Sequence, residues 1–306
     1  MPQLVGPQLQ AFLIDVLRIS LWLAILTVIF VPLERLFAAH PQKIFRKGFA
    51  TDLSYYFLSG LIPALLLSAP LGLLAWSVNR IMPGSFLATV AALPLWARAI
   101  AGLVVGEIGY YWGHRLSHEI PFLWRFHSIH HSAEHVDFLV NTRAHPVDLV
   151  FSRLCALAPM YMVGLGGPAG PADSIVPVLV TLIGTMWGFF IHANLRWRFG
   201  PLEWLISTPA FHHWHHTRTG PINRNYASTL PWLDRLFGTH YLPHNQWPES
   251  YGIKAKLPDS LAGQLAYPLL RDPPDSTAAP SDIQTAASMD EVPAMSAEDA
   301  ERGVIG

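Results

Sequence analysis

The sequence predicts an all-α fold: a helical bundle of about four to five membrane spans with a histidine-rich cap on the cytosolic side. Of the 306 residues, 51% are hydrophobic and only 13% charged. The mean hydropathy of +0.31 is too high for an ordinary soluble domain. The apolar residues form runs long enough to cross a hydrocarbon core of ~30 Å at about 1.5 Å per helical residue. Lastly, 12 of the 15 histidines lie between His114 and His216.

Five apolar segments are the candidate spans. The first has no basic segment before it and no small-residue cleavage site after it, so we expect a span rather than a cleaved signal peptide. The second contains Pro63 and Pro70, which membrane helices tolerate better than soluble ones. A further segment, 86–95, is too short to cross and is expected to be interfacial or re-entrant. The five candidates are residues 12–32, 53–78, 96–112, 147–164 and 175–192.

Basic residues in the connecting loops predict the orientation, because short loops rich in Lys and Arg stay in the cytosol. The loop after the first segment carries Arg35, Lys43, Arg46 and Lys47, whereas the next loop carries Arg80 alone. Alternation of the spans then places every clustered histidine on the cytosolic side. Because there is no dilysine-like ER signal at the C-terminal end, we expect a bacterial inner membrane.

Composition divides the chain into three parts. Residues 1–100 are predicted to be an N-terminal transmembrane region, and residues 101–250 a histidine-bearing domain that contains the further spans. From 271 onward there are no aromatic residues, four prolines, and eight acidic residues against two basic ones. Residues 271–306 are therefore predicted to be a disordered acidic tail.

Charge and cysteine content exclude several classes of function. A net charge of −1 offers no basic surface for nucleic acid. With Cys155 as the only cysteine, a disulfide framework and a cysteine-based zinc or iron–sulfur site are both excluded. The chain has neither a CxxCH haem motif nor a GxGxxG dinucleotide motif. Any redox chemistry would therefore draw its electrons from a separate protein.

The histidines form three short motifs, HRLSH, HSIHH and HHWHH, with one further histidine at the end of the last candidate span. Histidines three and four residues apart lie on one face of a helix. Nine such imidazoles exceed what one tetrahedral or octahedral ion accepts, so two metal ions are expected, and imidazole suits both zinc and iron. The nine are His114, His118, His127, His130, His131, His192, His212, His215 and His216.

In chain order, HRLSH, HSIHH, NTRAHP, HAN, TPAFHHWHH, NYAS and LDRLFGT resemble the motifs of the fatty acid hydroxylase superfamily, which includes sterol desaturases, sterol methyl oxidases and alkylglycerol monooxygenase. The resemblance covers residues 107–241. It implies that 101–250 is a catalytic domain whose nine histidines hold a non-haem di-iron centre that activates O2. It also implies a separate electron donor of the ferredoxin or cytochrome b5 type.

Further site residues follow from the same resemblance. Glu107 stands where relatives have an acidic residue seven positions before the first histidine, and we expect it to orient His114; an interfacial carboxylate near Arg98 is the alternative. His145, in the RAHP turn, is expected to be a metal ligand or a group that supports one.

Three more motif positions imply polar bracing near the metals: Asn141, Arg143 and Asp234. For Asp234, a helix N-cap and an ion pair near Arg235 stay open as alternatives. Arg196 occupies a position where some relatives have a second histidine after the one matching His192.

The predicted function is O2-dependent hydroxylation or desaturation of a C–H bond in a membrane lipid, such as a fatty acyl chain or a sterol. A zinc-dependent membrane hydrolase is one alternative, although the chain has no HExxH motif. A metal transporter is another, but it would distribute ionisable residues through the depth of several spans.

Overall fold

The structure, a computed structural model, describes residues 6–166 and 175–270, so the predicted acidic tail 271–306 lies outside the described residues. The described part is almost entirely helical and has no strand, which confirms the all-α prediction. The α-helices are α1 Pro7–Leu36, α2 Phe49–Ile81, α3 Gly84–Ala92, α4 Leu95–Glu119, α5 Pro121–His131, α6 Pro146–Met162, α7 Ile175–His192, α8 Pro209–His215, α9 Trp232–Leu236 and α10 Leu261–Ala266. The 3₁₀ helices are Phe138–Thr142, Gly200–Trp204 and Tyr267–Leu269.

The number of candidate spans lies at the lower end of the prediction. Three described helices, α1, α2 and α7, are long and apolar enough to cross a membrane. Helices α3 and α4 meet at 112° and qualify only as a pair, as a broken span or a re-entrant loop. Helix α6, which corresponds to the predicted span at 147–164, has 17 residues with Asp148 in its first turn and is not among them. The described chain thus has three or four candidate spans, against the four to five predicted.

Helices α4 and α6 pack closely through small residues. A Cβ added to Gly113 would lie 2.6 Å from the Cys155 Cβ, and Gly109 abuts the Cys155 backbone. Glycines at such a seam let two helix backbones approach each other in a membrane. The seam brings the histidine end of α4 close to the first turn of α6.

Helices α1 and α2 are fastened to the rest of the fold at the histidine side. The Glu34 carboxylate of α1 accepts hydrogen bonds from the backbone N–H of Phe138 and of Asn194, at 2.9 and 3.0 Å. In turn, the Asn194 side chain accepts from the backbone N–H of Ala39 and His40. The end of α1 is therefore connected to the segment that follows His192.

A buried network of four charges joins the loop after α1 to the chain around His130. Arg46 forms a bidentate ion pair with Asp137, and its third nitrogen lies 2.7 Å from Asp52. Asp52 also accepts a hydrogen bond from Arg143 at 2.6 Å. All four residues are at most 8% exposed, so their charges compensate one another away from water.

Candidate metal centre

The structure gathers nine predicted histidines into two buried clusters at one end of the bundle. In each cluster the candidate ligand atoms all lie within 4.8 Å of one another. The members come from α4, α5, α7 and α8 and from the residue that ends α8. The five-histidine cluster contains His114, His118, His127, His131 and His215. The four-histidine cluster contains His130, His192, His212 and His216.

Helical spacing explains how each motif serves both clusters. In α5, His127 and His131 are four residues apart and point into the five-histidine cluster, whereas His130 points into the other. The second HxxHH motif does the reverse, because His212 and His216 join the four-histidine cluster and His215 joins the five-histidine cluster. One turn of helix thus contributes ligands to two neighbouring sites.

Most of the imidazoles are oriented by an oxygen acceptor at Nδ1. An oxygen acceptor requires that Nδ1 carries the proton, which leaves the Nε2 lone pair free for a metal ion. The Nδ1 partners are the carbonyl oxygens of Tyr226 for His114, of Arg143 for His130, of Gly188 for His192 and of Arg224 for His215, the Asn223 side chain for His118, and the Asp148 carboxylate for His127.

The Nε2 atoms converge as donors around a metal ion would. The His127 Nε2 lies 3.2 Å from both the His114 and the His131 Nε2, and the His192 Nε2 lies 2.9 Å from that of His212. Metal–nitrogen bonds of about 2.0–2.1 Å put neighbouring donors about 3.0–3.4 Å apart. Lone pairs this close repel unless a cation lies between them. The donor set therefore fits one metal ion in each cluster.

Burial keeps these side chains in the ligand form. For five of the clustered histidines, the pKa is held well below the usual value, first by burial and then by repulsion from neighbouring histidines. They are therefore neutral at pH 7, the form that binds metal. These groups are His130, His131, His212, His215 and His216.

Asp148 is a site residue that the sequence reasoning missed. Its two carboxylate oxygens lie 3.0 and 3.1 Å from Nδ1 of His127, and both side chains are buried. A single Asp in the first turn of a helix usually indicates only a favourable interaction with the helix dipole. The signal that could have found it is the α4–α6 glycine seam, which brings the start of α6 to the histidines.

Glu107 does not orient His114 by a direct hydrogen bond. Its Oε1 accepts from the backbone N–H of Thr229 at 2.5 Å and of Leu230 at 3.3 Å. Both ring nitrogens of His114 have other partners. The two residues are seven positions apart along α4, and the chain at 229–230 lies beside Glu107.

Asp234 braces the loop that orients His114. One carboxylate oxygen accepts from the Tyr226 N–H at 2.7 Å and from the Thr239 hydroxyl at 2.6 Å, and the other from the Ala227 N–H at 2.8 Å. The Tyr226 carbonyl in turn accepts from His114. Asp234 therefore acts on the five-histidine cluster through one backbone segment.

Asn141 and Arg143 lie beside the four-histidine cluster. Asn141 packs against Gly188, whose carbonyl orients His192. The Arg143 carbonyl orients His130, and its guanidinium holds the Ile129 carbonyl and the Ser132 hydroxyl. The two residues thus support the four-histidine cluster from the Phe138–Thr142 turn and the residue after it.

The structure does not bring His145 into either cluster. The His145 Nδ1 accepts from the Val147 N–H at 3.1 Å and caps α6, and its Nε2 lies 3.3 Å from the Leu265 carbonyl. Both nitrogens are thus engaged, so the expectation that His145 is a ligand is not supported by the geometry. His213, the remaining histidine of the HHWHH motif, is hydrogen-bonded to the Tyr251 hydroxyl and the Ala193 carbonyl.

Comparison with known proteins identifies this region. Residues 99–239 match the family model described as fatty acid hydroxylase. This part of the chain is similar to the fatty acid hydroxylase family. The match includes all nine clustered histidines, together with Glu107, Asp148 and Asp234. It leaves out α1 and α2, which the charge network and Glu34 nevertheless connect to the clusters.

Several curated proteins resemble the chain. Ornithine lipid hydroxylase OlsE of Rhizobium tropici is 34% identical over 180 residues, which are 58% of this chain and 52% of that protein. Alkylglycerol monooxygenase of Xenopus tropicalis is 33% identical over 141 residues, 46% of this chain and 29% of that protein. Very-long-chain aldehyde decarbonylase GL1-5 of Oryza sativa subsp. indica is 31% identical over 158 residues, 48% of this chain and 25% of that protein.

The chain thus spans about half the length of the bacterial relative and under a third of the two eukaryotic ones. No solved structure matches the chain.

Proposed function

We propose that this chain is an O2-dependent, non-haem di-iron oxidoreductase that hydroxylates a C–H bond of a membrane lipid. The observation that carries the proposal is the pair of buried histidine clusters at the ends of the apolar helices α4 and α7. Hydroxylation converts R–H, O2, two electrons and two protons into R–OH and water. Desaturation of the same lipid, which the same site could perform, is the second possible outcome.

The size and chemistry of the donor set favour iron. A catalytic zinc ion usually has three protein ligands and one open position, whereas these clusters offer five and four imidazoles. Two bound irons would supply the activation of O2, which protein side chains do not offer. Zinc hydrolysis would leave several of these imidazoles without a role, so it explains the site less well.

The protein's own residues orient the imidazoles and exclude water. Six Nδ1–H groups are held by oxygen acceptors, which fixes the direction of each Nε2 lone pair. All nine clustered histidines are at most 8% exposed. A reactive intermediate formed here would meet little water, which is what selective attack on a C–H bond requires.

A lipid substrate is supported by the relatives and by the position of the site. The relatives' names specify an ornithine lipid and an alkylglycerol as their substrates. Both names also describe oxygen insertion, as hydroxylase or monooxygenase, and so favour hydroxylation here. Because the clusters lie at the ends of apolar helices, a lipid could stay in its leaflet and present one carbon to the metals.

The electrons are proposed to come from a separate protein of the ferredoxin or cytochrome b5 type. The sequence has no haem or flavin motif of its own. A cytosolic position of the clusters, as the loop charges predict, would give such a donor access. The bacterial relative supports placement in a bacterial inner membrane.

Isotope incorporation tests the proposed reaction. Membranes of a bacterial host that expresses the chain are incubated with ¹⁸O2 and reduced ferredoxin, and the lipids are analysed by mass spectrometry. We expect a lipid with one added ¹⁸O atom from the wild type and from His145→Asn, but none from His127→Ala or His212→Ala. A lipid product that forms equally without O2 would contradict the proposal and favour a hydrolase.

A further inference from the structure

Hydrogen bonds to α4 and α7 indicate how far two neighbouring segments of the cap lie from the histidine level, toward the apolar part of these helices. Glu107 precedes His114 by seven residues, which is about 10 Å along the helix axis at 1.5 Å per residue. The Glu107 carboxylate nevertheless accepts hydrogen bonds from the N–H groups of Thr229 and Leu230. The chain at 229–230 therefore lies about 10 Å from the level of His114, toward the apolar part of α4.

A second segment lies at a similar level beside α7. Trp187 precedes His192 by five residues, about 7.5 Å along the axis. The Trp187 indole N–H donates to the Ser207 carbonyl at 3.1 Å. Ser207 in turn donates its own N–H to the Thr229 carbonyl at 2.8 Å, which joins the two segments. We call residues 200–207 and 229–237 the paired cap segments.

Three buried backbone N–H groups of the paired cap segments are bonded to protein groups. Irregular backbone at that depth is tolerated only where protein groups fulfil its hydrogen bonds. Ser207, Thr229 and Leu230 are 0%, 6% and 7% exposed, and their N–H groups bond to Thr229 and Glu107. The same hydrogen bonds explain why α4 contains a buried carboxylate. Glu107 accepts from the N–H groups of Thr229 and Leu230, which would otherwise need water as an acceptor.

The outer surface of the paired cap segments is apolar and exposed. Five large side chains in them range from 36% to 67% exposed. The Phe237 ring also packs on Tyr111 and Trp112 of α4, with centroids 5.1 and 4.9 Å apart, so the patch continues the outer face of that helix. Contiguous exposed apolar patches mark contact with a partner or a membrane. The five side chains are Leu202, Trp204, Leu205, Leu236 and Phe237.

Arginine–tryptophan pairs lie at the rim of this patch. The Arg235 guanidinium lies 4.0 Å from the Trp204 ring centroid, and that of Arg115 lies 5.4 Å from the Trp112 ring centroid. Tryptophan is enriched at the boundary between lipid tails and water, where arginine reaches the headgroups. Trp112 is itself 40% exposed on α4, so the rim is continuous with a candidate span.

We propose that the paired cap segments are inserted in the bilayer and that their partner is the lipid of the same membrane that holds α1, α2 and α7. The continuity with the outer face of α4 favours lipid over a second protein. In this arrangement the histidine clusters lie at headgroup level, and the chain around them is partly immersed. The proposal concerns position only, so it does not depend on the reaction.

Depth-dependent quenching tests this placement. Single cysteines are introduced at Leu205→Cys and Leu236→Cys in a Cys155→Ala background, labelled with an environment-sensitive fluorophore, and the full chain is placed in phospholipid nanodiscs. Quenching by spin-labelled phospholipid is compared with quenching by aqueous iodide. Leu21→Cys, exposed on α1, is the lipid control, and Glu249→Cys, exposed on a cap loop, is the aqueous control.

We expect the labels at Leu205→Cys and Leu236→Cys to resemble the label at Leu21→Cys. Compared with Glu249→Cys, each should be quenched at least twofold more strongly by spin-labelled phospholipid and at least twofold more weakly by iodide. Labels at Leu205 and Leu236 that fall closer to Glu249→Cys in both measures would overturn the proposal. Circular dichroism and gel filtration establish that each variant is folded. Because no turnover is measured, this result stands apart from the test of lipid oxidation.

Discussion

At the scale of single residues, Asp148 is the carboxylate in direct contact with a clustered histidine. It lies 3.0 Å from His127 Nδ1, and the His127 Nε2 faces two other imidazoles. A carboxylate behind a metal ligand fixes the ring orientation and raises its basicity, and losing such a partner typically lowers metal affinity about 10–100-fold. Asp148→Ala is therefore expected to weaken metal binding in the five-histidine cluster by this factor.

The measurement is the iron retained per chain during titration with a chelator. Asp148→Asn, which keeps an oxygen acceptor, is the matched control and should retain more metal than Asp148→Ala. If Asp148→Ala held both metals as firmly as the wild type, Asp148 would have no role in orienting His127.

Gly188 offers a second test at a single residue. A Cβ there would come within 3.1 Å of the Asn141 Cγ and closer still to its amide oxygen, in the turn whose carbonyl orients His192. Overpacking of this kind costs about 1–3 kcal/mol. Gly188→Ala is expected to lower the free energy of unfolding by that amount and to weaken metal binding in the four-histidine cluster.

Gly184→Ala, one turn earlier in α7, is the matched control because no atom lies within 4 Å of its added Cβ. Thermal unfolding in detergent compares the two variants. Equal stability would show that the Asn141 side chain moves aside without cost.

The sequence could predict which histidines of a motif share a helix face, because helical spacing alone determines this. It could not show that HxxHH divides its members between two clusters, which depends on the relative positions of α5 and α8. It also could not show the hydrogen-bond partners of Glu107 and His145, since these lie in chain segments distant in sequence, at Thr229 and Leu265.

At the scale of elements, α2 is coupled to the four-histidine cluster by charge. Asp52 is fully buried and neutralises Arg46 and Arg143, and the Arg143 carbonyl orients His130. Removing one partner of a buried ion pair costs about 3–5 kcal/mol, because the other charge is left uncompensated. Asp52→Ala is expected to lower the free energy of unfolding by about this amount.

The control is Glu134→Ala, which breaks an exposed loop pair with Lys47 worth about 0–1 kcal/mol. Chemical unfolding of both variants in detergent measures the difference in the free energy of unfolding. If Asp52→Ala lost no more stability than Glu134→Ala, the charge network would not contribute to holding α2 at the site.

The sequence predicted the position of a helix where a long apolar run defines it, as in α1, α2 and α7. An apolar run in sequence does not distinguish a lipid-facing helix from one packed inside the bundle, so the span at α6 stays a prediction. Arg46 shows that sequence also does not distinguish an exposed charge from a buried one. It was counted as a cytosolic loop charge, yet the structure uses it in a buried network.

At the scale of the whole molecule, the loop charges predict which side of the membrane bears the clusters. Lys43, in the loop before α2, and Arg80, in the last turn of α2, are exposed at opposite ends of that helix. In a Cys155→Ala background, a membrane-impermeant maleimide is expected to label Lys43→Cys only in inside-out vesicles and Arg80→Cys only in right-side-out cells. The opposite pattern would place the clusters outside the cytosol.

Metal content tests the central claim most directly, that two buried histidine clusters each hold iron. Detergent-purified full-length chain is analysed for elemental metal and by Mössbauer spectroscopy after growth on ⁵⁷Fe, together with His127→Ala, His212→Ala and His145→Asn. We predict about two irons per chain in the wild type and in His145→Asn, and fewer in the other two variants. Folded wild-type protein that contains one zinc, or no firmly bound metal, would contradict the account.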